Sequence, residues 1–267
     1  ERLLNSGLSW RGEPMWAVSP GAPPTLLEGP IAPLREAQLT REMPTFTLMK
    51  SDGRNVTNMR WEFMDQQLIW KHVQPSDCVL MLGGNIGGAC IMAAKAVRKP
   101  ELSACVEPNT ELHTSLEHNL AANTAGIRLV RGIVSEQPGI LVPCNGVGKG
   151  TCSHTTTGSA SREQNGTQPV ASVSLNWLQE RIFGRKRAGF TYMHFDCEGC
   201  ACSFFKEYPD MLHQIRALSL EVDGTKKECY SRLFKAAEEA GLKRVPNSKS
   251  RNNHAAFARL SIRSAAS

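Results

Sequence analysis

The chain has 267 residues, of which 41% are hydrophobic and 21% charged, and this composition is typical of a packed globular protein rather than a disordered one. Its length accommodates one large α/β domain or two small ones. The longest weakly charged run, from Cys78 to Val97, is interrupted by glycines, so we expect no membrane-spanning helix.

The cysteines and the first residue indicate the cellular compartment of the protein. Nine cysteines are an odd number, and without dense regular spacing they favour a reducing environment over a disulfide scaffold. Cys197, Cys200 and Cys202 do not form the paired C-x-x-C elements of a zinc site, so we expect buried free thiols there and no resident metal ion. We expect a soluble, intracellular protein, and removal of an organelle-targeting segment would explain a start at Glu1.

The two ends of the chain differ in composition from the rest. Residues 1–45 are rich in proline and glycine and lack a sustained hydrophobic period, which predicts an extended arm with Trp10 or Trp16 as its anchor. Residues 225–267 hold ten Lys and Arg and three Glu, a net charge of +7 against +6 for the whole chain. We expect protein partners to bind these two segments, although a solvated face is the simpler explanation of the basic one.

From Phe46 the hydrophobic pattern becomes regular, and strands alternate with helices. The expected strands cover 45–49, 55–57, 78–82, 102–106, 127–134, 191–195, 216–222 and 255–262. The expected helices cover 61–72, with Asn58 as N-cap, then 86–97, 110–123, 175–182, 200–214 and 226–240. Residues 144–169 are poor in apolar side chains and predict an insertion loop. This alternation predicts one α/β domain over 46–267 with a doubly wound, mostly parallel sheet, whose ligands bind at the carboxyl ends of the strands.

A glycine-rich turn follows the strand at 78–82. Gly83, Gly84 and Gly87 permit a tight turn and close approach of a ligand, at a helix N-terminus with free N–H groups. Glu107 ends the next strand, roughly twenty residues on, where an acidic side chain can accept the hydroxyl hydrogens of a ribose. Two cofactors fit, a dinucleotide or S-adenosylmethionine. Asn85 stands where a dinucleotide motif has its second glycine, which favours S-adenosylmethionine.

Four motifs in order resemble the FkbM-type family of S-adenosylmethionine-dependent methyltransferases. The family's G-A-N-x-G is matched by residues 83–87, and its F-E-P-N-P with a later N-x-x-x-N by residues 106–109 and 119–123. Its I-D-V-E-G-A-E block is matched by residues 195–199, and its strand ending in glutamate by 220–221. The resemblance implies a class I (Rossmann-type) methyltransferase fold and O-methylation of a hydroxyl on a small molecule or glycan. It implies that S-adenosylmethionine is bound by Gly83, Gly84, Asn85, Gly87, Glu107, Pro108 and Asn109.

Asp196 and Glu198 are the candidate catalytic residues. Asp196 lies at the carboxyl end of its strand, where a carboxylate can accept the proton of an acceptor hydroxyl, and Glu198 can share that role or bind a metal with it. The alternative is that both only cap the helix that follows. Three carboxylates of the family are replaced here, by Met81, Asn176 and Ala201. The acid missing at Met81 is the one that helps to bind the amino group of the cofactor's methionine moiety.

Three functions remain open. A small-molecule or glycan O-methyltransferase is the leading one. The second is a catalytically degenerate methyltransferase-fold subunit that serves as a structural or assembly component of a larger, organellar complex, which the missing carboxylates and the arm favour. A nucleic-acid methyltransferase would suit the basic segment, but the chain lacks both an N-P-P-Y-type block and a Pro-Cys nucleophile, so we expect no nucleic acid partner.

Overall fold

The computed structural model describes residues 42–143, 153–157, 167–184, 189–222, 227–245 and 254–259. The strands are β1 (Thr47–Met49), β2 (Asn55–Thr57), β3 (Val79–Leu82), β4 (Ala104–Glu107), β5 (Arg128–Arg131), β6 (Ile133–Val134), β7 (Gly139–Pro143), β8 (Ser153–Thr157), β9 (Gln168–Val170), β10 (Ser172–Val173), β11 (Tyr192–Phe195), β12 (Ala217–Glu221), β13 (Lys243–Arg244) and β14 (His254–Ala258). The helices are α1 (Phe63–His72), α2 (Gly88–Ala96), α3 (Thr110–Ala122), α4 (Leu175–Phe183), α5 (Cys200–Glu207), α6 (Met211–Gln214) and α7 (Lys227–Glu239). None of these helices has the length and apolar character needed to cross a membrane. The predicted arm lies almost entirely outside the described residues.

The central sheet has seven strands in the order β5-β4-β3-β11-β12-β14-β13. Neighbouring strands from β5 to β12 run parallel, whereas β14 pairs antiparallel with both β12 and β13. The predicted doubly wound, mostly parallel sheet is therefore confirmed. The chain runs outward from β3 to β5 and then returns to β11 on the other side of β3. A ligand crevice is expected at the carboxyl ends of β3 and β11, where the order reverses.

Helices cover both faces of the sheet, and each central strand contributes alternate side chains to two cores. In β3, Leu80 and Leu82 pack in the core that contains α4, α5, α6 and α7, while Val79 and Met81 pack in the core that contains α1, α2 and α3. All four side chains are at most 5% exposed. A strand buried on both faces has a continuous apolar sequence, as this one does.

Two of the predicted helices differ from the structure in their N-cap or in their continuity. The first begins after Glu62, and Asn58 is not its N-cap. The Asn58 side chain instead accepts a hydrogen bond from the Phe46 N–H and donates one to Gln66 Oε1, so it joins the preceding loop to α1. The helix predicted over 200–214 is divided into α5 and α6 around Pro209, which cannot supply a helical N–H.

The predicted insertion loop at 144–169 contains regular structure. Strand β8 lies within it and pairs antiparallel with β7, which also pairs antiparallel with β9. These three strands form a sheet of their own. Three consecutive threonines in β8 are β-branched residues that favour strands, a signal that the polar composition of the segment outweighed. Residues 144–152 and 158–166 lie outside the described part of the chain.

Six of the described cysteines form three disulfides, namely Cys90–Cys105, Cys197–Cys200 and Cys202–Cys229. The first joins α2 to β4, the second spans the turn before α5, and the third joins α5 to α7. The prediction of free thiols at positions 197, 200 and 202 was therefore wrong, because their pairing is set by three-dimensional packing and by a turn rather than by motif spacing. Disulfides persist in oxidising environments, so the argument for a reducing compartment no longer stands.

Candidate functional site

The turn at residues 83–87 connects β3 to α2 and packs tightly on both neighbouring strands. The N–H groups of Gly83 and Gly84 both donate to the Val106 carbonyl oxygen, at 3.1 and 3.0 Å. A Cβ atom on Gly83 would lie 1.7 Å from the Asp196 carbonyl oxygen, and one on Gly84 would lie 2.7 Å from Cys105 Sγ. Both glycines are therefore required for packing against β4 and β11. A side chain at position 84 would point into the protein and not towards a ligand. Packing against β4, rather than close approach of a ligand, is therefore the reason for glycine at this position.

Asn85 connects the turn to two carboxylates. Its backbone is left-handed, with φ of 45°. Its backbone N–H donates to Glu107 Oε2 at 2.7 Å, and its side-chain Nδ2 donates to Glu62 Oε1. Its side-chain Oδ1 is buried and has no hydrogen-bond partner among the described residues. Gly87, with φ of 101°, then serves as the N-cap of α2.

Glu107 lies against the turn, at the end of β4. Its side chain is buried, and its second oxygen, Oε1, accepts a hydrogen bond from the Asn109 N–H at 2.7 Å. Burial raises the pKa of Glu107 to about 7, although the backbone hydrogen bonds oppose the shift. Asn109 is the N-cap of α3, where its side chain accepts from the Glu111 N–H. A carboxylate has about four lone-pair positions, so Glu107 retains capacity to accept hydroxyl hydrogens from a ligand.

A cavity opens at the carboxyl ends of β3 and β4. Its lining is mainly apolar and includes Leu82, Val106, Pro108, Ile133, Val134 and Phe204. Gly83 and the Cys197–Cys200 disulfide also line it. Of the predicted cofactor residues, this cavity contacts Gly83 and Pro108, and Glu107 adjoins it in the chain.

Asp196 lies at the end of β11, in an acidic environment. Burial raises its pKa well above the ordinary value, and the neighbouring Asp65, Glu62 and Glu221 raise it further. The N-cap of α5 is Gly199, which weakens the alternative that Asp196 only caps that helix.

The position of Glu198 is also described. It lies in the turn spanned by the Cys197–Cys200 disulfide, with φ of 53°. The described histidines, cysteines and carboxylates contain no group of three or more arranged to bind a metal ion.

A buried polar chain under α1 was not predicted from the sequence. Asp65 Oδ1 lies 3.0 Å from His254 Nε2 and 3.5 Å from His194 Nε2. His194 Nδ1 contacts Ser219 Oγ at 2.7 Å, and the same oxygen contacts the Tyr192 hydroxyl at 2.7 Å. Burial lowers the pKa of His194 to about 4. Burial is also the largest single influence on His254 and lowers its pKa, but the hydrogen bond to Asp65 and the charges of Asp65 and Glu221 together outweigh it and raise the pKa of His254.

The sequence contained one signal for this buried polar chain. Asp65 stands four residues before Ile69, on the apolar face of the predicted helix, and a carboxylate in a buried stripe is rarely found without a partner. Glu62 and His254 gave no comparable signal, because their neighbours come from elements far away in sequence.

No protein-family model matches this chain, and no curated protein matches it either. Several solved structures are similar to it in fold. An rRNA methylase from Streptococcus thermophilus superposes with a TM-score of 0.45 and 8% identity, covering 75% of this chain and 97% of that one. A methyltransferase from Pyrococcus furiosus gives a TM-score of 0.41 and 13% identity, with 73% and 82% covered. A precorrin-6y C5,15-methyltransferase from Geobacter metallireducens gives 0.38 and 9%, with 73% and 83% covered. We draw no conclusion about the function of this chain from similarities of this size. Membership of the FkbM-type family stays a prediction.

Proposed function

We propose that the chain is an S-adenosylmethionine-dependent methyltransferase that O-methylates a hydroxyl of a small molecule or glycan. The observation that carries the proposal is the position of Glu107, hydrogen-bonded to the Asn85 N–H of the turn beside an apolar cavity. A nucleoside needs hydrogen-bond acceptors for its ribose hydroxyls and an apolar slot for its base. Both lie at the point of the sheet where α/β folds of this type bind ligands.

The residues present fit this cofactor. Glu107 would accept the ribose hydroxyl hydrogens, and the cavity beside Pro108 would hold the adenine. The buried Asn85 Oδ1, which has no partner in the described part of the protein, offers an acceptor for a ligand N–H. Gly83, Gly84 and Gly87 would contribute indirectly, by allowing the turn to pack closely enough to present its backbone.

Asp196 is the best candidate for removing the acceptor's proton. S-adenosylmethionine, when bound, supplies a methyl group that is activated by a positively charged sulfur. The protein's tasks are then to orient a hydroxyl and accept its proton. Burial and the nearby acids Asp65, Glu62 and Glu221 raise the pKa of Asp196, so its ionised form is disfavoured in the absence of a positive charge. A nearby positive charge favours the ionised carboxylate of Asp196, which then acts as the base, with Glu198 as the second candidate.

The degenerate-subunit alternative has one structural observation in its favour. Met81 occupies the position of a family carboxylate and is fully buried in the core. On that alternative the chain would retain the fold without binding the cofactor, and residues 1–45 and 225–267 would make the contacts to a larger complex.

Calorimetry with S-adenosylmethionine and S-adenosylhomocysteine tests the proposal. We expect saturable binding of both by the wild-type protein, and retained binding by Asp196→Asn. With labelled S-adenosylmethionine and panels of hydroxyl-bearing glycans, small molecules and RNA, we expect methyl transfer to a hydroxyl compound, reduced about 10²- to 10⁴-fold in Asp196→Asn. Absence of binding by the wild-type protein would overturn the proposal and favour the degenerate subunit.

A further inference from the structure

Glu62 brings a carboxylate to the turn at residues 83–87 from a separate part of the chain. It immediately precedes α1 and has a left-handed backbone, with φ of 47°. Its Oε1 accepts a hydrogen bond from Asn85 Nδ2, while the Asn85 backbone N–H donates to Glu107. One residue of the turn therefore links the carboxylate predicted to bind the ribose to a second carboxylate that the motifs did not reveal.

The surroundings of Glu62 contain an excess of negative charge. Burial and the nearby Asp65 and Glu107 together raise the pKa of Glu62 to about 8, although the hydrogen bonds from Trp61 and Asn85 oppose the shift. Within the part of the chain that the structure describes, the ion pairs of lysine, arginine and histidine do not include Glu62. His194 and His254 both face Asp65 instead. A cationic ligand would restore the charge balance at this position.

The hydrogen-bonding groups also favour a cation with several N–H donors. The Asn85 Oδ1 atom is buried without a partner among the described residues, on the same side chain that binds Glu62. A carboxylate and an amide oxygen are both acceptors, and an ammonium group has three donors and no acceptor. The described acids and histidines provide no cluster of metal-binding geometry, so the acceptors suit an organic ammonium better than a metal ion.

We propose that Glu62 binds the α-ammonium group of the cofactor's methionine moiety, with Asn85 Oδ1 as a second acceptor. This inference rests on the proposed function and adds a residue to it. The family resemblance implies an acid two residues before Gly83 for this task, and Met81 stands there, buried in the core. Glu62, immediately before α1, supplies the missing carboxylate. It is hydrogen-bonded to the side chain of Asn85, whereas Glu107 is hydrogen-bonded to the Asn85 backbone N–H.

The test compares ligands that differ only at the ammonium group. Calorimetry would measure S-adenosylhomocysteine, its deamino analogue and 5′-methylthioadenosine, which lacks the amino-acid portion, against wild type, Glu62→Gln and the control Glu107→Gln. In wild type we expect the deamino analogue to bind about 10- to 100-fold more weakly than S-adenosylhomocysteine, as for loss of a charge-assisted hydrogen bond. In Glu62→Gln this preference should disappear, while 5′-methylthioadenosine should bind as in wild type. Glu107→Gln should weaken all three ligands.

The outcomes separate this inference from the proposed function. If wild type does not prefer S-adenosylhomocysteine to its deamino analogue, Glu62 does not bind an ammonium group, and this conclusion needs no variant to fold. An unchanged preference in Glu62→Gln, or an equal loss for 5′-methylthioadenosine, would also overturn the assignment while leaving the cofactor in place. Absence of binding for every ligand to wild type would reject the proposed function, and the role of Glu62 with it.

Discussion

Gly83 lies where the end of β3 meets the end of β11. Its backbone has φ of 97°, and the Asp196 carbonyl oxygen occupies the space in which a side chain would begin. The Asp196 N–H in turn donates to the Leu82 carbonyl oxygen at 2.9 Å. The conformation of a single glycine thus controls how closely the candidate base approaches the turn at residues 83–87.

Gly53 provides a matched control for this contact, because it also has a positive φ, of 80°, but no atom of the described residues lies within 4 Å of the point where its Cβ would stand. We expect Gly53→Ala to lower the free energy of unfolding by about 1–2 kcal/mol, the cost of a left-handed alanine. Gly83→Ala should cost at least about 1–3 kcal/mol more, from overpacking. Denaturant unfolding measures both. Equal losses would mean that β11 yields freely and that the contact does not constrain Asp196.

Arg216 and Asp77 form the main buried ion pair among the described elements, at the amino ends of the strands. Arg216 Nε and Nη2 donate to the two Asp77 oxygens at 2.9 and 2.5 Å. Asp77 also accepts from the Thr191 hydroxyl and the Gln74 N–H. The pair therefore joins the residues before β3 to the residues before β11 and β12. The candidate site lies at the opposite, carboxyl ends of these strands.

We expect Asp77→Asn to lower the free energy of unfolding by about 3–5 kcal/mol, because it leaves a buried guanidinium without its counter-charge. The control is Glu228→Gln, which removes an exposed pair with Arg232 on α7 and should cause no measurable change. Denaturant unfolding of both variants is the measurement. A loss for Asp77→Asn no larger than that of the control would show that the pair does not stabilise the fold.

Strand and helix order could be predicted because each central element carries its own signal. The buried run of β3, the glycine turn and Glu107 follow one another in the chain, so sequence spacing places them in one site. Glu62 and His254 reach the same edge of the sheet from a loop and from the last described strand. Their proximity depends on how α1 and β14 pack, which no local period encodes.

At the scale of the whole molecule, the disulfides join elements that the hydrophobic cores already bring together. Cys202–Cys229 connects α5 to α7 and closes a loop with a sequence separation of 27 residues. Both helices cover the face of the sheet that lies next to the cavity. The bond therefore restrains the part of the fold on which the cavity wall at Phe204 depends.

We expect the double variant Cys202→Ser, Cys229→Ser to lose about 3 kcal/mol of unfolding free energy, as for release of a loop of this length from the unfolded chain. Cys78→Ser is the control, since Cys78 is the free cysteine of the described residues, and its loss should be clearly smaller. Unfolding without reductant measures both, and peptide mapping under non-reducing conditions detects the three bonds. Free thiols at 202 and 229 in the mature protein would contradict the pairing.

Strand β14 lies between β12 and β13, although it follows both of them in the chain. During synthesis on the ribosome, β12 and β13 are therefore made before β14. Until β14 is made, the backbone N–H and C=O groups on the edge of β12 that faces it have no strand to pair with. His254, which contacts Asp65 beside the candidate site, is the first residue of β14. Translation that stops before residue 254 would leave both an open sheet edge, exposed to pairing with other chains, and an incomplete site.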